Sequence, residues 1–156
     1  MRARGFTLIE LVVTLAIIGL LATAVMPLAQ LVALREKEAE LRSALRDVRA
    51  ALDAYKLASD TGHIKTELGA SGFPPDLKSL YQGVADAASP DNKMQYFIRR
   101  IPRDPFFPDS SAAAEDTWGL RSYASLADDP QPGDDVYDIH SLSNGKGLNG
   151  VPYREW

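Results

Sequence analysis

At 156 residues the chain has the length of one domain, or of one small domain with an appendage, and its net charge is −4. It lacks the basic excess that forms the electrostatic footprint of a nucleic-acid binder, so nucleic acid is not an expected partner. There is no cysteine, which excludes a disulfide framework, a thiol nucleophile and a cysteine-ligated metal.

Charge is segregated along the chain. Residues 1–34 carry Arg2, Arg4 and Glu10 alone, residues 35–58 carry six basic and five acidic side chains, and residues 59–156 carry nine basic and fifteen acidic ones. From Leu11 to Leu34 run 24 residues without a charge, against about 20 needed to cross a hydrocarbon core of about 30 Å. A secretory signal fits less well, because the run exceeds the usual apolar region of about 7–15 residues and no convincing Ala-x-Ala cleavage site follows. A run apolar on all sides is also too long to be the core helix of a domain this small. Arg2 and Arg4 precede the span and Arg35, Lys37 and Arg42 follow it, while acids weigh little in the positive-inside balance. Charge alone therefore leaves the orientation open.

Glu10 is the anomaly of this segment. A carboxylate deep in a bilayer costs about 2.5–3.5 kcal/mol on insertion scales, and such groups usually have a partner and a function. Its place at the edge of the run would also let it reach the headgroups. A cut before Phe6 would create an α-amino group four residues away, able to pair with Glu10 of the same chain or of a neighbour.

Pro27 lies inside the apolar helix, where it removes one backbone hydrogen bond and favours a kink. In a membrane the freed carbonyl is satisfied by neighbours. Beyond the run, Leu34, Leu41, Leu45, Val48, Leu52 and Tyr55 recur at helical spacing as one apolar stripe, with charges on the other faces. Glu38 and Arg42 stand at the favourable i, i+4 spacing. No breaker separates the span from the stripe, so one helix is expected from about Phe6 to Ala58. Too few clean heptads are present for a coiled coil.

Residues 59–75 read as a linker punctuated by Gly62, Gly69, Gly72, Pro74 and Pro75. Asp76 is placed to cap a short helix through Tyr81, and residues 93–101 read as another short helix. Trp118 to Ser125 and Val136 to Ser143 read as strands, the second alternating Tyr137 and Ile139 with Asp138 and His140. The stretch from Asp128 to Asp135, with Pro130, Pro132 and Gly133, reads as the loop of their hairpin. The tail to Trp156 adds a third strand or packs. Trp118, Tyr123, Tyr137, Tyr153 and Trp156 read as core or sheet-packing aromatics, since rings in small domains are mostly buried. An aromatic binding surface is the alternative for them.

No catalytic constellation emerges. His63 and His140 are the only histidines and lack metal-ligand spacing. Neither a Gly-x-Ser-x-Gly elbow nor a phosphate loop is present. The four aspartates of the 128–135 stretch read as a solvated loop. The chain is expected not to be an enzyme.

Arg4-Gly5-Phe6-Thr7-Leu8-Ile9-Glu10-Leu11, followed by Val12-Val13 and the apolar run, resembles the class III leader of type IV pilins and type II secretion pseudopilins. That resemblance implies a prepilin peptidase cut between Gly5 and Phe6, methylation of Phe6, and Glu10 as the carboxylate that guides subunit addition. It also settles the orientation, since the peptidase acts on the cytoplasmic side, and it makes Pro27 the place where the helix bends or loosens in a filament.

Arg99-Arg100-Ile101-Pro102-Arg103-Asp104-Pro105-Phe106 resembles the segment leading into the sheet of the major pseudopilin, although residues 106–117 intervene here before Trp118-Gly119. Val136 to Gly147 resembles its final strand and loop. Major pseudopilins often hold calcium in that loop. Calcium wants six to eight oxygen ligands, several of them carboxylate. Here Asn144, Lys146 and Asn149 occupy the loop, no aspartate follows Asp138, and Leu142 and Ser143 could offer carbonyls only, so the expected cofactor complement is none, with calcium in that loop as the less favoured alternative.

The expectation is an α+β, pilin-like fold, a long N-terminal helix on a small antiparallel sheet. It divides into a leader (1–5), a transmembrane helix (6–34), its amphipathic continuation (35–58) and a periplasmic domain (59–156). The implied function is a subunit of a type II secretion pseudopilus, held in the inner membrane with a cytoplasmic N-terminus and assembled into a periplasmic filament. Implied partners are further copies, other pseudopilins, the prepilin peptidase, the inner-membrane secretion platform and membrane lipid. A minor pilin of a type IV or competence pilus is the alternative within the class. A membrane-anchored periplasmic binding domain is the alternative outside it.

Overall fold

The computed structural model describes residues 5–91 and 93–156, so the expectations resting on Arg2 and Arg4 fall outside the described residues. One helix, α1, runs Leu8–Asp60 with Pro27 inside it, close to the expected bounds. The chain divides into two units, one ending at Lys37 and one spanning Glu38–Trp156.

Among the described residues of the first unit, α1 is the only regular element. Its apolar side chains are exposed on every side, from Leu8 and Ile9 to Leu31 and Val32. The helix is long and apolar enough there to cross a membrane.

In the second unit the continuation of α1 buries one stripe. Leu41, Leu45, Val48, Leu52 and Tyr55 form its centre, and Ala44, Ala51 and Ala58 let other elements approach closely. Leu34, expected to begin the stripe, is half-exposed and belongs to the first unit. The stripe packs against Leu77, Leu80, Ile101, Trp118, Val136, Ile139 and Tyr153.

The short helix α2 is Lys78–Gln82. Asp76 does hold its first turn, since its Oδ1 accepts the Ser79 N–H and hydroxyl at 2.8 Å each. Residues 93–101 do not form the expected helix. Strand β1 (Val84–Ala85) pairs antiparallel with β2 (Met94–Gln95). The N–H groups of Phe97 and Ile98 then donate back to the Leu80 carbonyl. These donors find earlier partners in the fold instead of carbonyls one turn back, so no helix propagates.

Strands β3 (Trp118–Arg121) and β4 (Asp138–Ser141) form the expected hairpin, with Trp118 opposite Ser141 and Arg121 opposite Asp138. They are shorter than expected. Past Arg121 the Ser122 N–H donates to Gln131 O and the Tyr123 N–H to Asp135 Oδ1 at 2.8 Å, which closes the 128–135 loop onto the strand end. The Gly119 position has no room for a Cβ, because the His140 ring lies across it.

The 106–117 insertion is held by its flanks. The Arg103 guanidinium donates to the carbonyls of Asp109 and Ala112, and a 3-10 turn (Ala114–Thr117) leads into β3. Asp104 is the buried suture. Its Oδ2 accepts the Ser141 hydroxyl at 2.5 Å, its Oδ1 the Phe106 N–H at 2.8 Å, and its own N–H donates to Thr117 Oγ1. The tail packs rather than adding a full strand. Lys146 and Pro152 make one isolated bridge, and a 3-10 turn (Tyr153–Glu155) covers β4.

Of the five aromatics expected to pack in the core or on the sheet, two stand outside the core. Trp118 and Tyr153 are buried, but Tyr123 is 61 % exposed and Tyr137 37 % exposed. Both contact Phe73, with centroids at 6.0 and 5.0 Å, and form a surface cluster flanked by Lys56 and Arg121. They sit where the hairpin has left its ladder, so strand alternation no longer fixes which face they take.

Candidate functional site

The motif residues gather at the start of α1. Gly5, Phe6 and Thr7 precede the helix in non-helical backbone, and Phe6 is 82 % exposed.

Thr7 and Glu10 bond reciprocally. Thr7 Oγ1 accepts the Glu10 N–H at 3.3 Å, and Glu10 Oε2 accepts the Thr7 N–H at 3.4 Å. This is a capping box, which satisfies two of the four N–H groups that a helix start leaves unpaired. The carboxylate also stands in the first turn, where the helix dipole favours an anion. The signature Thr-x-x-Glu was present in the sequence and Thr7 carried no assigned role there; spacing alone would have found it.

Further along, two threonine hydroxyls of the apolar half bond within the helix. Thr14 Oγ1 donates to Leu11 O at 2.9 Å and Thr23 Oγ1 to Leu20 O at 2.7 Å. Such internal bonding is what a hydrocarbon environment requires of a helix. Pro27 lies seventeen residues beyond Glu10 on α1 and is not brought near the start.

A second cluster was not foreseen. Glu38, read from the sequence as a surface partner of Arg42, is buried. Its Oε1 accepts the Leu148 N–H at 2.7 Å and the Tyr153 hydroxyl at 3.2 Å, while Arg42 stands 3.7 Å from Oε2. Burial first, and then the bond to Glu38, raise the Tyr153 hydroxyl above its ordinary pKa. Arg49 adds a second tie, from Nε to Asp138 Oδ1 at 2.7 Å and from NH2 to Trp156 O at 2.8 Å.

These contacts bear on calcium. The carboxylate that reaches the loop after β4 is Glu38, and it is engaged with an N–H and a hydroxyl. Among the described residues no group of three or more His, Cys, Asp or Glu could hold a metal. The side chains present do not fit a calcium site. His63 Nδ1 lies 2.9 Å from Asp86 Oδ1, and that bond, followed by the Ala88 N–H, holds Asp86 below the usual carboxylate range. His140 sits apart from it on β4.

Residues 1–26 match the model of the prokaryotic N-terminal methylation motif. Over most of its length the chain is similar to proteins called type II secretion system core protein G. That of Pectobacterium carotovorum subsp. carotovorum is 35 % identical over 86 % of this chain and 83 % of the relative. That of Dickeya chrysanthemi is 32 % identical over 96 % and 94 %. That of Escherichia coli K12 is 38 % identical over 67 % and 68 %. No solved structure matches the chain.

Proposed function

The chain belongs to the family of type II secretion system core protein G, and from that premise we propose how its residues do the work of a pseudopilin, a structural protein and not an enzyme. Prepilin peptidase cuts between Gly5 and Phe6 and the new N-terminus is methylated. Residues 1–5 are then the leader, 6–34 the membrane span, 35–58 its continuation and 59–156 the periplasmic domain. Subunits wait in the inner membrane with a cytoplasmic N-terminus. They leave it to assemble, with further copies and other pseudopilins, on the secretion platform.

The physical need for assembly comes from α1. An apolar surface such as that of residues 8–34 is stable in lipid or against other helices, not in water. Extraction from the bilayer therefore requires a helical bundle of neighbouring copies. Glu10 guides that step. Its carboxylate is capped by Thr7 before processing, and the cut places a new amine within its reach or within reach of a neighbour's carboxylate. Pro27 removes the hydrogen bond to the Thr23 carbonyl and supplies the place where the packed helix loosens.

The observation that carries this reading is the methylation motif at the start of a helix whose apolar first half is exposed on every side among the described residues. Intact-mass spectrometry of the protein from membranes of its native host tests it. The expected mass lacks Met1–Gly5 and carries one added methyl. A full-length chain from cells with active prepilin peptidase would sink the proposal.

A further inference from the structure

We infer that the Asn149–Gly150 step is a modification site, where Asn149 spontaneously loses its side-chain amide and leaves a carboxylate in a cavity lined by arginines. Every residue involved lies in the second unit. The chain has two Asn-Gly steps, Asn144–Gly145 and Asn149–Gly150, both in the loop after β4, and both asparagines are exposed. Glycine leaves its own backbone nitrogen unshielded by any side chain. In the reaction that nitrogen bonds to the asparagine Cγ, the Cγ–Nδ2 bond breaks, and ammonia departs with the glycine amide proton. Water then opens the cyclic imide at either carbonyl, giving aspartate or isoaspartate.

The surroundings favour the second step over the first. Asn149 Oδ1 accepts the Val151 N–H at 3.1 Å. Negative charge develops on that oxygen during the attack, and a donor already in place stabilises it. The Asn144 amide has no such donor among the described contacts. Ring closure also requires the glycine to rotate. Gly150 stands at φ +80° with open space where a Cβ would lie. At Gly145 the Tyr153 ring comes within 3.0 Å of that point, and the Gly145 carbonyl accepts the Tyr153 N–H at 3.1 Å. Both nucleophiles are tied, Gly150 N–H to Gly147 O at 2.8 Å and Gly145 N–H to Ser143 Oγ at 3.2 Å. Freeing Gly150 opens a turn at the loop tip, whereas freeing Gly145 disturbs its packing on the buried Tyr153.

Charge acts in the same direction. Asn149 lines a cavity of about 370 Å³ together with Arg42, Arg46 and Arg49. Arg42 is engaged by Glu38 and Arg49 by Asp138, while Glu155, which also borders the cavity, is engaged by Arg154. Arg46 is exposed and has no ion-pair partner among the described residues. The cavity therefore keeps an uncompensated cation. The glycine nitrogen attacks as an anion and the product is an anion, and a nearby cation favours both.

Peptide mapping by mass spectrometry tests this on the full-length protein in micelles, incubated at mildly alkaline pH and sampled over time. Trypsin cuts after Lys146 and so puts the two asparagines on different peptides. The expected result is conversion of amide to acid several-fold faster at Asn149 than at Asn144, with the preference lost in concentrated urea. Conversion at Asn144 as fast as at Asn149 in the folded protein overturns the inference, and so does an absence of conversion at Asn149. The same preference in urea also overturns it, because the local sequence and not the fold would then choose the site. Arg46→Gln should slow Asn149 and leave Asn144 unchanged; an unchanged rate at Asn149 overturns the part given to the arginines. Asn149→Asp supplies the product directly. Its urea midpoint should exceed the parental one at low salt, and the gap should close as salt screens the new pair. A midpoint at or below the parental value would mean that the carboxylate finds no cation there.

Discussion

Within the helix Leu8–Asp60, Leu20 is 73 % exposed and Leu52 fully buried, although the same side chain stands in the same backbone. The first half shows apolar residues on every face, and its hydroxyls turn inward to its own carbonyls. The second half confines its apolar residues to one stripe, and its charged residues reach other parts of the fold, as Arg49 reaches Asp138. The difference lies in what supplies the burial. Packing in the second half comes from the chain itself, so it stabilises folding. Packing in the first half must come from lipid or from other copies, so it stabilises location and assembly. Substitutions in the two halves should accordingly fail in different assays.

Glu10→Ala should give the largest effect and the sharpest separation. It removes the carboxylate proposed to guide addition, so filament formation is expected to be lost, as scored by electron microscopy and by secretion in a complemented host. The urea midpoint of the second unit should stay at its parental value, because Glu10 bonds only to Thr7 among the described contacts. A fall in that midpoint would break the division of labour.

The matched pair Leu52→Ala and Leu20→Ala comes next. Leu52 is fully buried in the core, and removing it should cost about 2–5 kcal/mol, lost transfer energy plus cavity. Leu20→Ala removes a side chain that is 73 % exposed, and a change within about 0.5 kcal/mol is expected. Urea unfolding of the full chain in micelles, followed at the buried Trp118, measures both. Equal losses would mean that the first half packs on its own chain after all.

Glu38→Ala tests the boundary between the halves and is smaller. It leaves the part-buried Leu148 N–H and the buried Tyr153 hydroxyl without their acceptor, a loss of about 1–3 kcal/mol. Tyr153→Phe deletes one of the two bonds and should cost less, about 0.5–1.5 kcal/mol. Faster hydrogen exchange at Leu148 in both variants would locate the loss in the loop; unchanged exchange would mean that the loop is held otherwise.

The halves also differed in how far they could be read from the sequence. The apolar run, the motif before it and the stripe from Leu41 to Tyr55 follow from local periodicity, and the helix ended within two residues of the expected bound. The β3–β4 hairpin followed from alternation and from the Pro and Gly residues between the strands. Residues 93–101 misled because their donors are taken by β1 and by Leu80, partners that no local pattern announces. Glu38 misled for the same reason. Its spacing to Arg42 was correct, but the groups that bury it lie at Leu148 and Tyr153, more than a hundred residues on. Tyr123 and Tyr137 kept strand-like composition while standing outside the ladder. At the motif the roles of Gly5, Phe6 and Glu10 were named from resemblance, whereas the Thr7 bond needed only the Thr-x-x-Glu spacing.

The smallest expected effect is a pH dependence confined to the second half. The His140 ring lies across Gly119, and burial pushes its pKa below the ordinary 6.5, with Asp138 opposing and Arg49 adding to the shift. The folded state then binds fewer protons than the unfolded chain at pH values just below 6.5. Stability should therefore fall as pH drops through 6.5, and the fall should end once pH passes below the depressed folded value. His140→Gln leaves Gly119 in place and removes this titration, so the difference between the parental and variant curves of urea midpoint against pH isolates His140 from His63. Asp86 acts in a separate window. Its depressed pKa contributes stability above its ordinary 3.8, and that contribution is lost as pH falls through the folded value. Asp86→Asn should flatten only the acid limb. Since both groups belong to the second unit, Leu20→Ala should leave the whole profile unchanged. A profile altered by that substitution would mean that the apolar half of α1 contributes to the stability of the folded unit.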